Sequence, residues 1–243
     1  MERQAVAILH NLDVGPLSKV AYNYFMRNTK FADDEYYHIY NRGVDKRLIF
    51  GNKYDLERFF LCMKEFNAVH PIGSIYSNTF KLSGPTSKLK KDNDPLVEFV
   101  AYCINPNHYH FILRQTKDGG ISEFMKRLGG GYTRYFNDKH KRSGALFRGR
   151  YKFIHIDSND YLLYVSAYVN LNNLVHKLSG PTSKLVKSSW EEYLGRTEYD
   201  FCNKEIVLEQ FKSRKEYKIF ANSVWRGAIE NKKEGEYEKL FTE

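Results

Sequence analysis

The sequence predicts an α+β fold, an antiparallel sheet with helices packed on one face. Three observations predict it. Two β-branched and aromatic runs, 97–104 and 108–113, are joined by Asn105-Pro106-Asn107, a turn chemistry that folds them into consecutive strands. Apolar residues recur at helical spacing in 53–68 and 121–139. Strands and helices alternate without a strict βαβ rhythm, which argues against a parallel sheet.

The elements follow in order. Residues 1–32 form an extension of unclear role, with a short helix expected at 20–26. The aromatic run 36–42 reads as a strand ended by Gly43. Leu56, Phe59, Phe60, Met63 and Phe66 line one side of the first long helix. The second long helix carries Phe124, Met125, Leu128, Tyr132, Tyr135 and Phe136, although Gly129-Gly130-Gly131 weakens it by roughly 1 kcal/mol per glycine. Residues 147–156 read as loop and strand. Asp157-Ser158-Asn159 offers an N-cap for a helix over 160–173. Two further helices are expected in 203–231. The domain reading is an extension (1–32), a main α+β domain (33–176) and a loop-and-helix extension (177–243).

The chain has 243 residues, a net charge of +9 and a pI of about 9.2. That balance favours a polyanionic partner, nucleic acid first. The excess is concentrated: nine Lys or Arg against Glu123 and Asp138 between Glu123 and Lys152. The tail from Lys187 onward has eleven bases against twelve acids. Aromatic residues make up 16% of the chain and 19 of them are Tyr, a supply of rings for stacking on bases. Cys62, Cys103 and Cys202 form no paired spacing, which fits a reducing cytosol rather than a disulfide framework. No secretory leader or membrane-length apolar run is expected.

One segment is duplicated. Lys81–Leu89 and Lys177–Leu185 are the same nine residues, Lys-Leu-Ser-Gly-Pro-Thr-Ser-Lys-Leu. Their separation fits no solenoid unit, and Ser-Gly-Pro-Thr is loop chemistry. Either a repeated DNA element entered the gene in frame twice, or a tolerated loop was duplicated.

Three constellations could carry chemistry. His108 and His110 flank Tyr109 on a strand, so both imidazoles share a face and form a candidate metal pair. Taken alone, such a pair also suits an ordinary strand. Tyr168 and Asn172 lie one helical turn apart, a candidate nucleophile and a candidate carbonyl ligand. The plain alternative is a core aromatic. Tyr161 and Tyr164 are rival nucleophiles, but neither has an amide four residues on. The third constellation is basic: Phe147-Arg148-Gly149-Arg150-Tyr151-Lys152, echoed by Asn41-Arg42-Gly43.

Four motifs come in order: Tyr-Tyr-His-Ile-Tyr-Asn-Arg-Gly (36–43), Pro-Asn-His-Tyr-His (106–110), Leu-Phe-Arg-Gly-Arg-Tyr (146–151) and Tyr-Val-Asn-Leu-Asn (168–172). Together they resemble the REP-associated tyrosine transposases, relatives of the single-tyrosine HUH transposases. The resemblance covers about residues 33–176. It implies a ferredoxin-like or RRM-like domain, with His108, His110 and Asn172 as ligands of a divalent metal, Mg or Mn. It implies Tyr168 as nucleophile and single-stranded DNA with hairpin repeats as substrate. Arg42, Arg134, Arg148, Arg150 and Lys152 are the expected DNA contacts. Both monomeric and dimeric states stay open. The chain departs from the family at Asn105, where Met is usual, at Asn173, where Pro is usual, and at Lys177, where the second repeat copy begins. A hydrolytic metal nuclease, a hairpin-binding protein without catalysis and an RNA-binding role are the competing readings.

Overall fold

The computed structural model describes residues 30–70, 75, 94–175 and 184–233. The expected helix at 20–26, the first repeat copy and most of the second lie outside these residues. Five strands form one sheet: β1 (Tyr36–Arg42), β2 (Val97–Asn105), β3 (His108–Gln115), β4 (Lys152–Ile156) and β5 (Lys187–Ser188). Their order is β4-β1-β3-β2-β5, and every neighbouring pair is antiparallel. With α1 (Lys53–Glu65) and α2 (Gly120–Lys139), the first four strands make the β-α-β-β-α-β succession of a ferredoxin-like unit. The short β5 was not foreseen; two residues carry too little alternation to signal a strand.

α1 and α2 cover one face. Leu56, Phe59, Phe60 and Met63 of α1 meet Ile121, Phe124, Leu128 and Tyr132 of α2 over Tyr37, Ile39, Phe99, Tyr109, Phe111 and Leu113 of the sheet. Burying one such large side chain contributes roughly 1.5–3 kcal/mol. A polar pin joins the same two helices. The fully buried Asp55 carboxylate accepts from Lys139 Nζ at 2.5 Å, His140 Nε2 at 2.9 Å and the Gly51 N–H at 2.8 Å.

The opposite face is covered too, which corrects the one-face arrangement. α3 (Asn159–Asn170), α4 (Asn172–Val175) and α7 (Arg214–Lys233) close a second core over Val100, Ala101, Cys103 and Ile112. Two single-turn helices, α5 (Trp190–Tyr193) and α6 (Glu205–Leu208), lie between α4 and α7 in the chain. The physical reason is the composition of the even-numbered residues of β3. His110 and Ile112 are as buried as their odd neighbours, so that face cannot be left to water. α7 from the tail packs on α3 through Tyr217, Ala221, Val224 and Ala228.

The expected single helix over 160–173 is two. Ser158 caps α3 by accepting from the Tyr161 N–H, and Leu171 (φ −107°, ψ 11°) breaks the helix before α4.

Candidate functional site

A bulge sets up the site. β2 pairs Phe99 with Leu113, then Ala101 with Ile112, so Val100 is the extra residue. Phe99 can therefore face the α1–α2 core while Ala101, Cys103 and Asn105 all face α3. Beyond the bulge, Cys103 pairs with His110 and Asn105 with His108. On the other side of β3, Tyr40 pairs with His110 and Arg42 with His108. Cross-strand partners share a face, so His108, His110, Asn105, His38, Tyr40 and Arg42 are assembled on one patch of sheet.

Asn172, at the start of α4, descends onto this patch. Its Oδ1 lies 3.0 Å from His108 Nε2 and accepts from Asn105 Nδ2 at 2.8 Å. Asn105 Nδ2 is also 3.0 Å from His108 Nε2. His108 Nδ1 faces Asn107 Oδ1 at 2.6 Å, and a carbonyl oxygen only accepts, so Nδ1 carries the proton. In a neutral ring Nε2 is then a lone pair, directed at a second lone pair on Asn172. An imidazole nitrogen and an amide oxygen converging in this way are a donor set that fits a divalent cation. The two remaining amide atoms, Asn105 Oδ1 and Asn172 Nδ2, are buried without a hydrogen-bond partner.

His110 stands beside His108, ring centroids 5.3 Å apart and nearly perpendicular. Its Nδ1 is 2.9 Å from Nε2 of the fully buried His38. Burial pushes His38 down to about 3, so this ring is neutral. A neutral imidazole behind His110 fixes its tautomer and orientation, as partners behind metal-binding histidines commonly do. Among the described residues no group of three His, Cys, Asp or Glu side chains gathers to hold a metal; beside the two imidazoles, the third candidate donor is an amide oxygen.

Tyr168 comes from α3. Its ring is 2% exposed and packs edge-on against His110 at 5.6 Å and His38 at 6.1 Å. Sequence reading posed a choice between a core aromatic and a group beside the imidazole pair, and the ring occupies both situations at once. Of the rival tyrosines, Tyr164 is buried in the second core and burial raises its pKa, whereas Tyr161 is half-buried.

The basic residues fall into two groups. Arg42 and Lys152, opposite His108 and Tyr40 in register, lie on the imidazole side. Arg134 and Arg150 line a cleft of about 790 Å³ on the α2 side, together with Asn41, Lys126, Gly130 and Tyr109. Exposed Arg148 joins them along the chain: its N–H donates to the Arg42 carbonyl at 2.8 Å. The cleft and the imidazole patch thus flank the same end of β1 and β3.

Residues 86–172 match the family model described as transposase, IS200-like. This segment, about a third of the chain, is similar to the IS200-like transposases. It takes in β2, β3, α2, β4, α3 and Asn172, and so holds both imidazoles, the amide and Tyr168. β1, with His38 and Arg42, and the tail helix α7 lie outside the matched transposase span. The chain is also similar to a solved structure described as a REP-associated tyrosine transposase bound to a REP hairpin. The identity is 12% and the TM-score 0.41, over 72% of this chain and 87% of that one. No curated protein sequence matches. No helix among the described residues is long and apolar enough to cross a membrane.

Sequence reasoning missed His38, Asn107 and the role of Asn105. His38 was legible in principle: it alternates with Tyr40 and Arg42 on a strand that pairs with the imidazole strand. Asn105 stood out only as a departure from the family's Met, yet its amide joins His108 to Asn172.

Proposed function

We propose that this protein cleaves and rejoins single-stranded DNA through Tyr168, acting on hairpin-forming repeats. The observation that carries the reading is the convergence of His108 and Asn172 at 3.0 Å with the Tyr168 ring packed on His110. The IS200-like transposase segment around these residues supports it. The hairpin substrate comes from the four ordered motifs, through their resemblance to the REP-associated tyrosine transposases.

The Tyr168 oxygen attacks a backbone phosphorus. An Oη–P bond forms and the P–O3′ bond breaks; the phenol gives up its proton and the departing O3′ takes one up through solvent, so a 3′-hydroxyl leaves with no net change in protons. The DNA is held as a 5′-phosphotyrosine. Attack by another 3′-hydroxyl reverses the step and reseals the strand without an external energy source. Water as nucleophile would discard the phosphodiester energy, which is the chemical reason to use a tyrosine for strand transfer. Mg or Mn, held by His108, His110 and Asn172, would supply Lewis-acid polarisation of the phosphate. His38 and Asn105 position those ligands. Arg42 and Lys152 hold phosphates on the imidazole side, while Arg134, Arg148 and Arg150 guide the strand past the end of β1 into the cleft. Because Tyr168 is buried, DNA binding must uncover its hydroxyl.

The test is incubation of the full chain with labelled hairpin DNA from the flanks of its own gene, with Mg or Mn. A covalent protein–DNA band is expected. Strand cleavage without an adduct would indicate a hydrolytic nuclease, and tight binding without cleavage would indicate a hairpin-binding protein.

A further inference from the structure

The duplicated nonapeptide falls in two connections of the chain. The first copy falls between α1 and β2, and the second between α4 and β5. Elements on both sides of each copy stay in the fold: Val175 is buried, and Lys187 pairs with Ile104. Such connections tolerate insertions. A peptide function would leave the codons free, so the question is what the codons can do.

The nine residues have an internal symmetry visible only at the level of bases. With Pro85 at the centre, antiparallel pairing of the coding strand sets the Lys81 codon against Leu89, Leu82 against Lys88, Ser83 against Ser87 and Gly84 against Thr86. AAG is complementary to CTT, and GGT to ACC. Outside serine, the second codon base of these residues is the same in every synonymous codon, and here it pairs A with T, T with A and G with C in the three pairings other than Ser–Ser. Any choice of serine codons leaves at least one mismatch. The nonapeptide can therefore be written as a DNA hairpin with one imperfect step and the Pro codon as its loop. The identity between copies also stops at the ends of these arms, where Phe80 and Lys90 flank one copy and His176 and Val186 the other.

We propose that the two nonapeptides are the translated form of a self-complementary DNA element that this protein binds, so that its gene carries two copies of its own hairpin ligand. The inference rests on the function proposed above and names the hairpin. A strand that folds on itself presents a duplex stem and an unpaired loop, which suits a basic cleft beside an aromatic, imidazole-lined patch.

Two measurements decide it. The coding sequence of the two copies is read first: complementary arms, with the copies agreeing at silent positions, are expected. Unrelated codons in the two copies, or arms that do not pair, overturn the proposal. Binding of the full chain is then compared for the coding-strand oligonucleotide of residues 81–89 and a synonymous version whose arms no longer pair. Preference for the native strand by at least ~10-fold is expected, modest beside the usual gap between specific and non-specific sites. Equal binding overturns the proposal. A covalent band on hairpins from the gene flanks, with no preference for the coding hairpin, would sink this inference and leave the proposed activity standing. Failure of every hairpin to bind would sink both.

Discussion

His108 and Asn172 present two acceptors to one another at 3.0 Å, bridged by a single amide donor from Asn105. Removing that donor should loosen the proposed ligand set without touching a proposed ligand. Asn105→Ala is predicted to weaken Mn binding by about 10-fold to 100-fold, the usual range for groups behind metal ligands. A titration of Mn against the purified variant checks this, and unchanged affinity would show that Asn105 only fills space. At the same scale, Tyr168→Phe keeps the ring that packs on His110 and His38 and deletes only the hydroxyl. Hairpin affinity should stay within about 2-fold, well under 1 kcal/mol, while covalent adduct disappears. Spacing singled out His108, His110, Tyr168 and Asn172 as candidates, and the family resemblance supplied their proposed roles. The place of Asn105 was not visible, because it depends on the bulge at Val100, and the alternation that marks His38 gains meaning only once β1 is paired with β3.

The helices α1 and α2 make two element-scale predictions. A Cβ on Gly131 would stand 2.6 Å from the Phe66 ring, whereas one on Gly129 or Gly130 meets nothing within 4 Å. The triple glycine thus has two different explanations. Gly131→Ala should destabilise by about 1–3 kcal/mol through forced repacking. Gly130→Ala should stabilise by roughly 0.8 kcal/mol through helix propensity, read as a higher melting temperature. Gly130 lines the cleft, so the same variant should bind hairpin DNA more weakly if the strand passes there.

The Asp55 pin gives a pH dependence between the same helices. Burial raises this carboxyl, but hydrogen bonds from Lys139, the Gly51 N–H and His140 outweigh it and hold the group below its ordinary value. A depressed carboxyl contributes stability above the unfolded value, near 4, and loses it as pH falls further. Asp55→Ala should cost about 3 kcal/mol at neutral pH and flatten the acid limb of the stability curve. Denaturant melts at several pH values would measure it; an unchanged acid limb would show that Asp55 adds no acid sensitivity. Helical periodicity foretold α1 and α2 to within a few residues. The break at Leu171 was not foretold, since nothing in Leu-Asn-Asn opposes a helix strongly. Just past the break, Asn172 Oδ1 reaches His108 Nε2 at 3.0 Å.

For the whole molecule, the sequence carried the α+β class and the antiparallel pairing because alternation and turn residues are local signals. It did not carry the second layer of helices, because two-sided burial of β3 and the docking of α7 on α3 are tertiary facts. That layer matters for function. It places Tyr168 over the imidazoles and also shields it, so the proposed reaction requires DNA to shift α3 or the strand beneath it. The separation of basic groups around the end of β1 predicts a divided effect. Arg134→Ala and Arg150→Ala should each lower the salt slope of hairpin binding by roughly 1, without abolishing adduct formation at saturating DNA.

Locating the covalent bond tests the role of Tyr168 without an intermediate assumption. Protein reacted with labelled hairpin DNA and Mn is digested, and the nucleotide-bearing residue is found by mass spectrometry. A single phosphodiester adduct on Tyr168 is expected. An adduct on Tyr161 or Tyr164, or DNA cut with no adduct on any tyrosine, would contradict that role.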